Sequence, residues 1–130
     1  MDYNQLRNLM APMKRGDKIT LPHVEHKLEV IFTEEGLFFL KSATKEGKLT
    51  ATSPGFKSLS EFTIHLMQFF IPKPGHAYQH LNGNIYEVLH IANEYSLRDD
   101  YPPSVVYQGA NGNVWVKPLT NFIRKMTRIK

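Results

Sequence analysis

Apolar residues recur at every second position over much of this chain, and at helical spacing over three short stretches. Ile19 and Leu21, then Leu28, Val30 and Phe32, fall at even spacings, which predicts half-buried strands. Pro22 marks a strand break or an edge. "EEG" turns the chain into "LFFLKSA", and "KEG" turns it again into "KLTATS", so three or four antiparallel strands in a meander are expected. Asp2 to Met10 predicts a short helix with Leu6, Leu9 and Met10 on one face, ended by Pro12 and Gly16. Ser58 to Phe70 is the clearest helix. Ser58 with Glu61 three residues on has the form of a capping box, and Leu59, Phe62, Leu66, Phe69 and Phe70 make an apolar stripe. "IPKPG" stops it, because two prolines and a glycine do not continue a helix.

The second half reads as hairpins. "HAYQHL" and "IYEVLHIANEY" flank "NGN", a turn signal resting on the ease with which Asn-Gly takes positive φ. The longer strand alternates Tyr86, Val88, His90 and Ala92 against Ile85, Glu87, Leu89 and Ile91; both sets are mostly apolar, which predicts a central strand. "VVYQGA" and "VWVKPL" flank a second "NGN", and a short helix follows Pro118, with Thr120 as N-cap and Phe122, Ile123 and Met126 inward. The expected class is therefore α+β: two antiparallel meanders, a central helix, and short helices at both ends. Residues 1–71 and 72–130 form the two halves, as separate lobes or within one compact domain.

Composition changes this picture little. The chain has 130 residues, 42% hydrophobic and 22% charged, as in ordinary globular proteins. No apolar run approaches the roughly 20 residues that span a bilayer. "MDYNQLRNLM" does not have the form of a secretory signal. With no cysteine, thiolate catalysis, disulfides and cysteine-ligated metals are excluded. A cytosolic protein of bacterial or phage origin is the expectation. Charge adds one asymmetry. Of 16 cations, Arg124, Lys125, Arg128 and Lys130 stand in the last eleven residues with no acid among them, leaving 12 basic against 12 acidic groups elsewhere. The chain has one basic end rather than a uniformly basic surface.

Residues 74 to 122 carry a family resemblance. Gly75, Tyr78, His80, Gly83, Tyr86, Val88, Ala92, Val105, Val106, Tyr107, Trp115, Val116, Pro118, Leu119 and Phe122 resemble the pattern of the domain of unknown function 1653 family. Asn82, Asn93, Glu94 and Lys117 depart from its usual residues, and the "LRDDYPP" loop is longer than usual. The resemblance implies a small, strongly bent meander of the SH3-like kind in bacteria and their phages, and no established activity. The stretch "GKLTATSPGFKSLSEF" is similar, more faintly, to the RAMA module of restriction and adenine-methylase systems, which would tilt a ligand toward DNA.

Candidate chemistry is sparse. His76 and His80 are four apart and His23 and His26 three apart, but on strands a four-residue spacing separates side chains by about 13 Å, too far to share one ion. No nucleophile elbow, Walker loop or dinucleotide fingerprint is present, and Asp99 and Asp100 need not converge. No metal, cofactor or catalytic set is expected, although an enzyme acting on nucleotides, using His80 or His90, stays open. Binding has the better case. Tyr78, His80, Asn93, Tyr107 and Trp115 are candidates for stacking and hydrogen bonding, and Arg98, Lys117, Arg124, Lys125 and Arg128 for phosphate contacts. Arg124 and Arg128, four apart, would share a helix face. Two readings stand side by side. Tyr86, Tyr107 and Trp115 read rather as core residues of a bent sheet, and the terminal cations complement a helix dipole with no ligand needed.

The function expected is a non-catalytic binding protein for a phosphate-bearing ligand, a small nucleotide somewhat before a nucleic acid, since a polymer needs several phosphate contacts. Sequestration of a nucleotide immune signal by a phage protein is one form of this. A homo-oligomer could build the pocket, and no membrane partner is expected. A protein-interaction module pairing through hairpin edges is the rival class.

Overall fold

The computed structural model describes residues 1–130. The chain divides into two compact units: Tyr3–Phe70, and Ile71–Lys130 with Met1 and Asp2. Each has one antiparallel sheet, and the class is α+β.

The first unit opens with helix α1 (Tyr3–Met10), whose Leu6 and Met10 are fully buried while Leu9 is 45% exposed, so the inward face is narrower than expected. Strands β1 (Lys18–Leu21), β2 (His26–Phe32), β3 (Phe38–Thr44) and β4 (Leu49–Thr52) pair in sequence order. Helix α2 (Leu59–Leu66) follows and tightens into a 3-10 turn over Met67–Phe69, which shortens the predicted Ser58–Phe70 helix at its C-terminal end. Ser58 caps α2, its hydroxyl accepting from Glu61 N. Leu21, Leu28, Val30, Phe38, Leu40, Phe62 and Leu66 are buried between sheet and helices. Rings fill this core: Phe32 stacks on Phe38 at 4.2 Å, and Phe38 and Phe56 both meet Phe62.

The second unit holds β5 (Ala77–His80), β6 (Ile85–Ala92), β7 (Ser104–Gly109), β8 (Val114–Pro118), helix α3 (Leu119–Lys125) and β9 (Met126–Arg128). The strand order is β8-β7-β6-β5-β9, so β6 is central as its two apolar faces predict, and the first strand of the unit pairs with the last. β9 replaces the end of the predicted terminal helix. Met126 leaves α3 in extended conformation, and Met126, Thr127 and Arg128 pair with His80, Gln79 and Tyr78. A free sheet edge outcompetes a local helical preference, as ladder hydrogen bonds do for a β-branched residue such as Thr127. Arg124 and Arg128 therefore do not share a helix face. The predicted Thr120 cap also differs: the N-cap position is Pro118, and no side chain caps α3.

One turn device recurs in both units. Thr33 N donates to Leu37 O, Thr44 N to Lys48 O, His80 N to Asn84 O and Gly109 N to Asn113 O, and each loop ends in a glycine, Gly36, Gly47, Gly83 or Gly112, at φ between 84° and 96°. These are three-residue hairpins in which only the glycine takes positive φ. The Asn-Gly pairs thus do not form the two-residue turn with both residues at positive φ. Asn82 and Asn111 instead accept through Oδ1 from Asn84 N and Asn113 N, pinning the loop from the side. β6 carries a second irregularity. Val88 faces Tyr107 but His90 faces Val106, so Leu89 is an extra residue and the alternation inverts there. His90 consequently points to solvent, not to the face of Tyr86 as strict alternation predicts.

Candidate functional site

Successive turns of a meander fall at alternate ends of its sheet, so the β5–β6 and β7–β8 turns share one end. Between them lies a cleft of about 340 Å³, lined by Asn84, Ile85, Tyr86, Gly109, Ala110, Asn111 and Trp115. That is within the range of small-molecule sites, about 300–1,000 Å³. The sheet face behind it is a graded series of rings. Tyr78 faces Tyr86 across β5 and β6, Tyr86 faces Gly109, and Tyr107 faces Trp115 across β7 and β8. Phe122 of α3 covers part of this face, with its ring 5.0 Å from Tyr78 and 5.1 Å from Tyr107. It does not reach the turn end. Exposure rises from 3% at Tyr78 and 5% at Tyr107 to 50% at Trp115, with Tyr86 between them.

Gly109 makes room for the cleft. A Cβ there would stand 3.3 Å from Tyr86 Cε1 and 3.3 Å from Asn111 Oδ1, so a side chain would crowd the ring and the amide together. Tyr86 meets Tyr107 edge to face at 5.3 Å, which holds it upright beside Gly109. The cleft thus presents two rings with polar tips, two carboxamides and one glycine. A shallower hollow of about 250 Å³, lined by Glu87, Gln108 and Ala110 among others, bears a carboxylate that opposes an anionic ligand.

The predicted site residues scatter. Trp115 lines the cleft. Tyr78 and Tyr107 do not: both are buried against Phe122, with no face left for stacking. Burial pushes the Tyr78 hydroxyl up to about 12, partly offset by Arg128, and raises that of Tyr107, with Tyr86 adding to the effect. His80 accepts from Asn82 N through Nδ1, a local turn contact, as His76 does from Lys73 N and His23 from Glu25 and His26 N. Asn93, the one non-glycine at positive φ, lies in the loop before Ser104 and donates to Pro102 O. Arg98 pairs with Asp100 at 3.6 Å and lies over the Tyr101 ring at 5.0 Å, so it finds its partners within its own loop. Lys117 is two residues from Trp115 and on its face of β8, about 7 Å along the strand. Arg124 and Lys125 are exposed in the last turn of α3, where they complement its dipole, and Arg128 lies on the opposite sheet edge beside Tyr78. No lysine or arginine lines the cleft itself. No three His, Asp or Glu side chains gather where they could hold a metal, and no helix is long and apolar enough to cross a membrane.

Sequence reasoning passed over Asn84, Gly109 and Asn111, and placed Tyr86 with the core. The signal that marks them is the meander itself, which brings both "NGN" turns to one end, together with a glycine inside a strand opposite a tyrosine.

The second unit is thus a five-stranded antiparallel sheet whose short helix covers Tyr78 and Tyr107 and leaves Trp115 half exposed. Residues 76–129, which span all five strands of that sheet, match the model of the family described as Protein of unknown function (DUF1653). Comparison with curated proteins and with solved structures returned no match.

Proposed function

We propose that the second unit is a non-catalytic binding module for a small nucleotide, its base held in the cleft between the two Asn-Gly turns. The observation that supports this is the grouping of Trp115 and Tyr86 with Asn84 and Asn111 around an open floor at Gly109. A planar heterocycle on Trp115 gains stacking energy, and carboxamides read its edge because each offers a donor and an acceptor. Lys117, on the same face of β8, is the cation nearest along the strand to meet a phosphate. One cation suits a mononucleotide or a compact cyclic nucleotide better than a long strand, whose binding draws on many phosphate contacts.

The chain has a single tryptophan, so its fluorescence reports this site alone. Titration with mono- and cyclic nucleotides at low salt is expected to quench Trp115 saturably, with a matching calorimetric isotherm that Asn111→Ala weakens and His80→Ala leaves alone. Quenching by single-stranded oligonucleotides only, steeply salt-dependent, would move the reading to nucleic acid. No quenching and no heat with either would end it.

A further inference from the structure

Strand β8 is an edge left bare. Val114, Trp115 and Val116 are 54%, 50% and 65% exposed, and the β7–β8 register runs without a bulge. Hydrogen bonds from Gly109 N to Asn113 O and from Leu119 N to Pro103 O bracket this ladder. Counting inward by twos, Trp115 and Lys117 direct their N–H and C=O groups at β7. Val114 and Val116 therefore direct theirs outward, to an edge with no strand beyond it. Natural edges are blunted by charges, prolines and bulges. Here the only guards are Lys117 and Pro118, and both stand at one end. The other edge of the same sheet, β9, is three residues long and carries Arg128.

We infer that β8 pairs antiparallel with β8 of a second copy, about a two-fold axis at Trp115, joining two five-stranded sheets into one of ten strands. The register is self-complementary. Val114 meets Val116 of the second copy twice over, each as a hydrogen-bonded pair, so all four outward N–H groups and carbonyls are used. Trp115 meets itself at the non-hydrogen-bonded position, where side chains approach most closely and aromatic pairs contribute most. Lys117 falls opposite Asn113, so no like charges meet. Neighbouring registers are worse. Moving the axis to Val116 sets Val114 against Pro118, which has no N–H; moving it to Val114 sets Val116 against Gly112, in the turn. The pairing rests on edge backbone and stands apart from the nucleotide reading. It also places the second copy's Trp115 on the cleft-bearing face, beside the first.

The single tryptophan gives a specific test, because exciton coupling between indoles then arises only across two copies. Sedimentation over a concentration series is expected to give about twice 15.0 kDa, with a far-ultraviolet exciton couplet that fades on dilution along with the dimer. Val116→Pro removes an outward N–H and no bond to β7, and should abolish both signals while cooperative urea unfolding is kept. If that variant unfolds, the double change Val114→Lys and Val116→Lys, at two exposed positions, sets lysine against lysine and should give a folded monomer without the couplet. A monomer at every concentration up to about 1 mM, a dimer without the couplet, or a dimer that survives both variants would overturn the pairing.

Discussion

The two sheets share their turns and differ in their rings. Both run through three-residue hairpins closed by a glycine at positive φ. The first packs Phe32, Phe38, Phe56 and Phe62 between sheet and helix, rings with no polar tip and no need of one. The second uses Tyr78, Tyr86, Tyr107 and Trp115, and its short helix supplies a single covering ring, Phe122. Phenylalanine fills a closed core, whereas tyrosine and tryptophan suit a face that is apolar at one end and wet at the other. The difference teaches where to look for function: at the end of a ring series that its helix leaves uncovered.

The strongest test of that contrast is Phe122. It is fully buried and touches both buried tyrosines. Phe122→Ala is expected to cost about 3–5 kcal/mol, read as a fall in the urea midpoint of Trp115 fluorescence. Phe62→Ala removes a ring of equal burial from α2, the helix over the other sheet, and should cost a similar amount by far-ultraviolet ellipticity. If Phe62→Ala lowered the Trp115-reported midpoint more than Phe122→Ala does, Phe122 would not be what holds the ring series together.

A second test uses the tyrosine hydroxyls, which the first sheet's core lacks. Tyr78 is pushed up to about 12 by burial, against 10.0 unperturbed. Below pH 10 the group is neutral in both folded and unfolded chains and costs nothing. Between pH 10 and 12 the unfolded chain has released its proton and the folded one has not, so stability falls as pH rises, by on the order of 2 kcal/mol. Tyr78→Phe should flatten this alkaline loss in chemical denaturation. An unchanged loss in that variant would show that the group is not held neutral by burial.

Trp115→Ala should separate stability from binding. With half its surface in water, the ring contributes little to the folding of a single copy, so at dilutions where the chain is monomeric the melting temperature is expected to change only slightly. Nucleotide affinity by calorimetry should drop by about 1–3 kcal/mol, the usual loss of one stacking partner. A large loss of stability with unchanged affinity would return Trp115 to the core.

Much of the fold was legible because period-two alternation and glycine turns are local signals: β2, β3, β6 and both "NGN" hairpins stand where the pattern placed them. What failed depended on distant partners. β9 exists because β5 offers an edge, which nothing in "MTRIK" announces. The bulge at Leu89 reverses His90 through the register with β7. Of the rings, the alternation did not say which would be buried: Trp115, read rather with the core, is half exposed, whereas Tyr78 and Tyr107 are buried. That depends on how far Phe122 reaches across the sheet, and no spacing along the chain encodes a reach. The charged candidates scattered for a related reason: Arg98 found Asp100 within its own loop, and Arg128 was carried to the far edge with β9.

The smallest expected effect compares the helices that cover the two sheets. α2 begins with a side-chain cap: Ser58 accepts from Glu61 N at 3.2 Å, satisfying a donor that has no partner within the helix. α3 follows Pro118, which stands at the N-cap position and supplies no side-chain acceptor. Thr120, which the sequence marks as a cap, is an exposed residue within α3. Ser58→Ala should therefore cost about 1 kcal/mol, whereas Thr120→Ala should stay within about 0.5 kcal/mol of the parent or stabilise slightly, since alanine is the better helix former. Both are read from urea midpoints. Equal losses at the two positions would mean that Thr120 caps α3 after all. The helix would then start later, Phe122 would sit nearer its first turn, and the boundary between covered and uncovered rings would have to be redrawn.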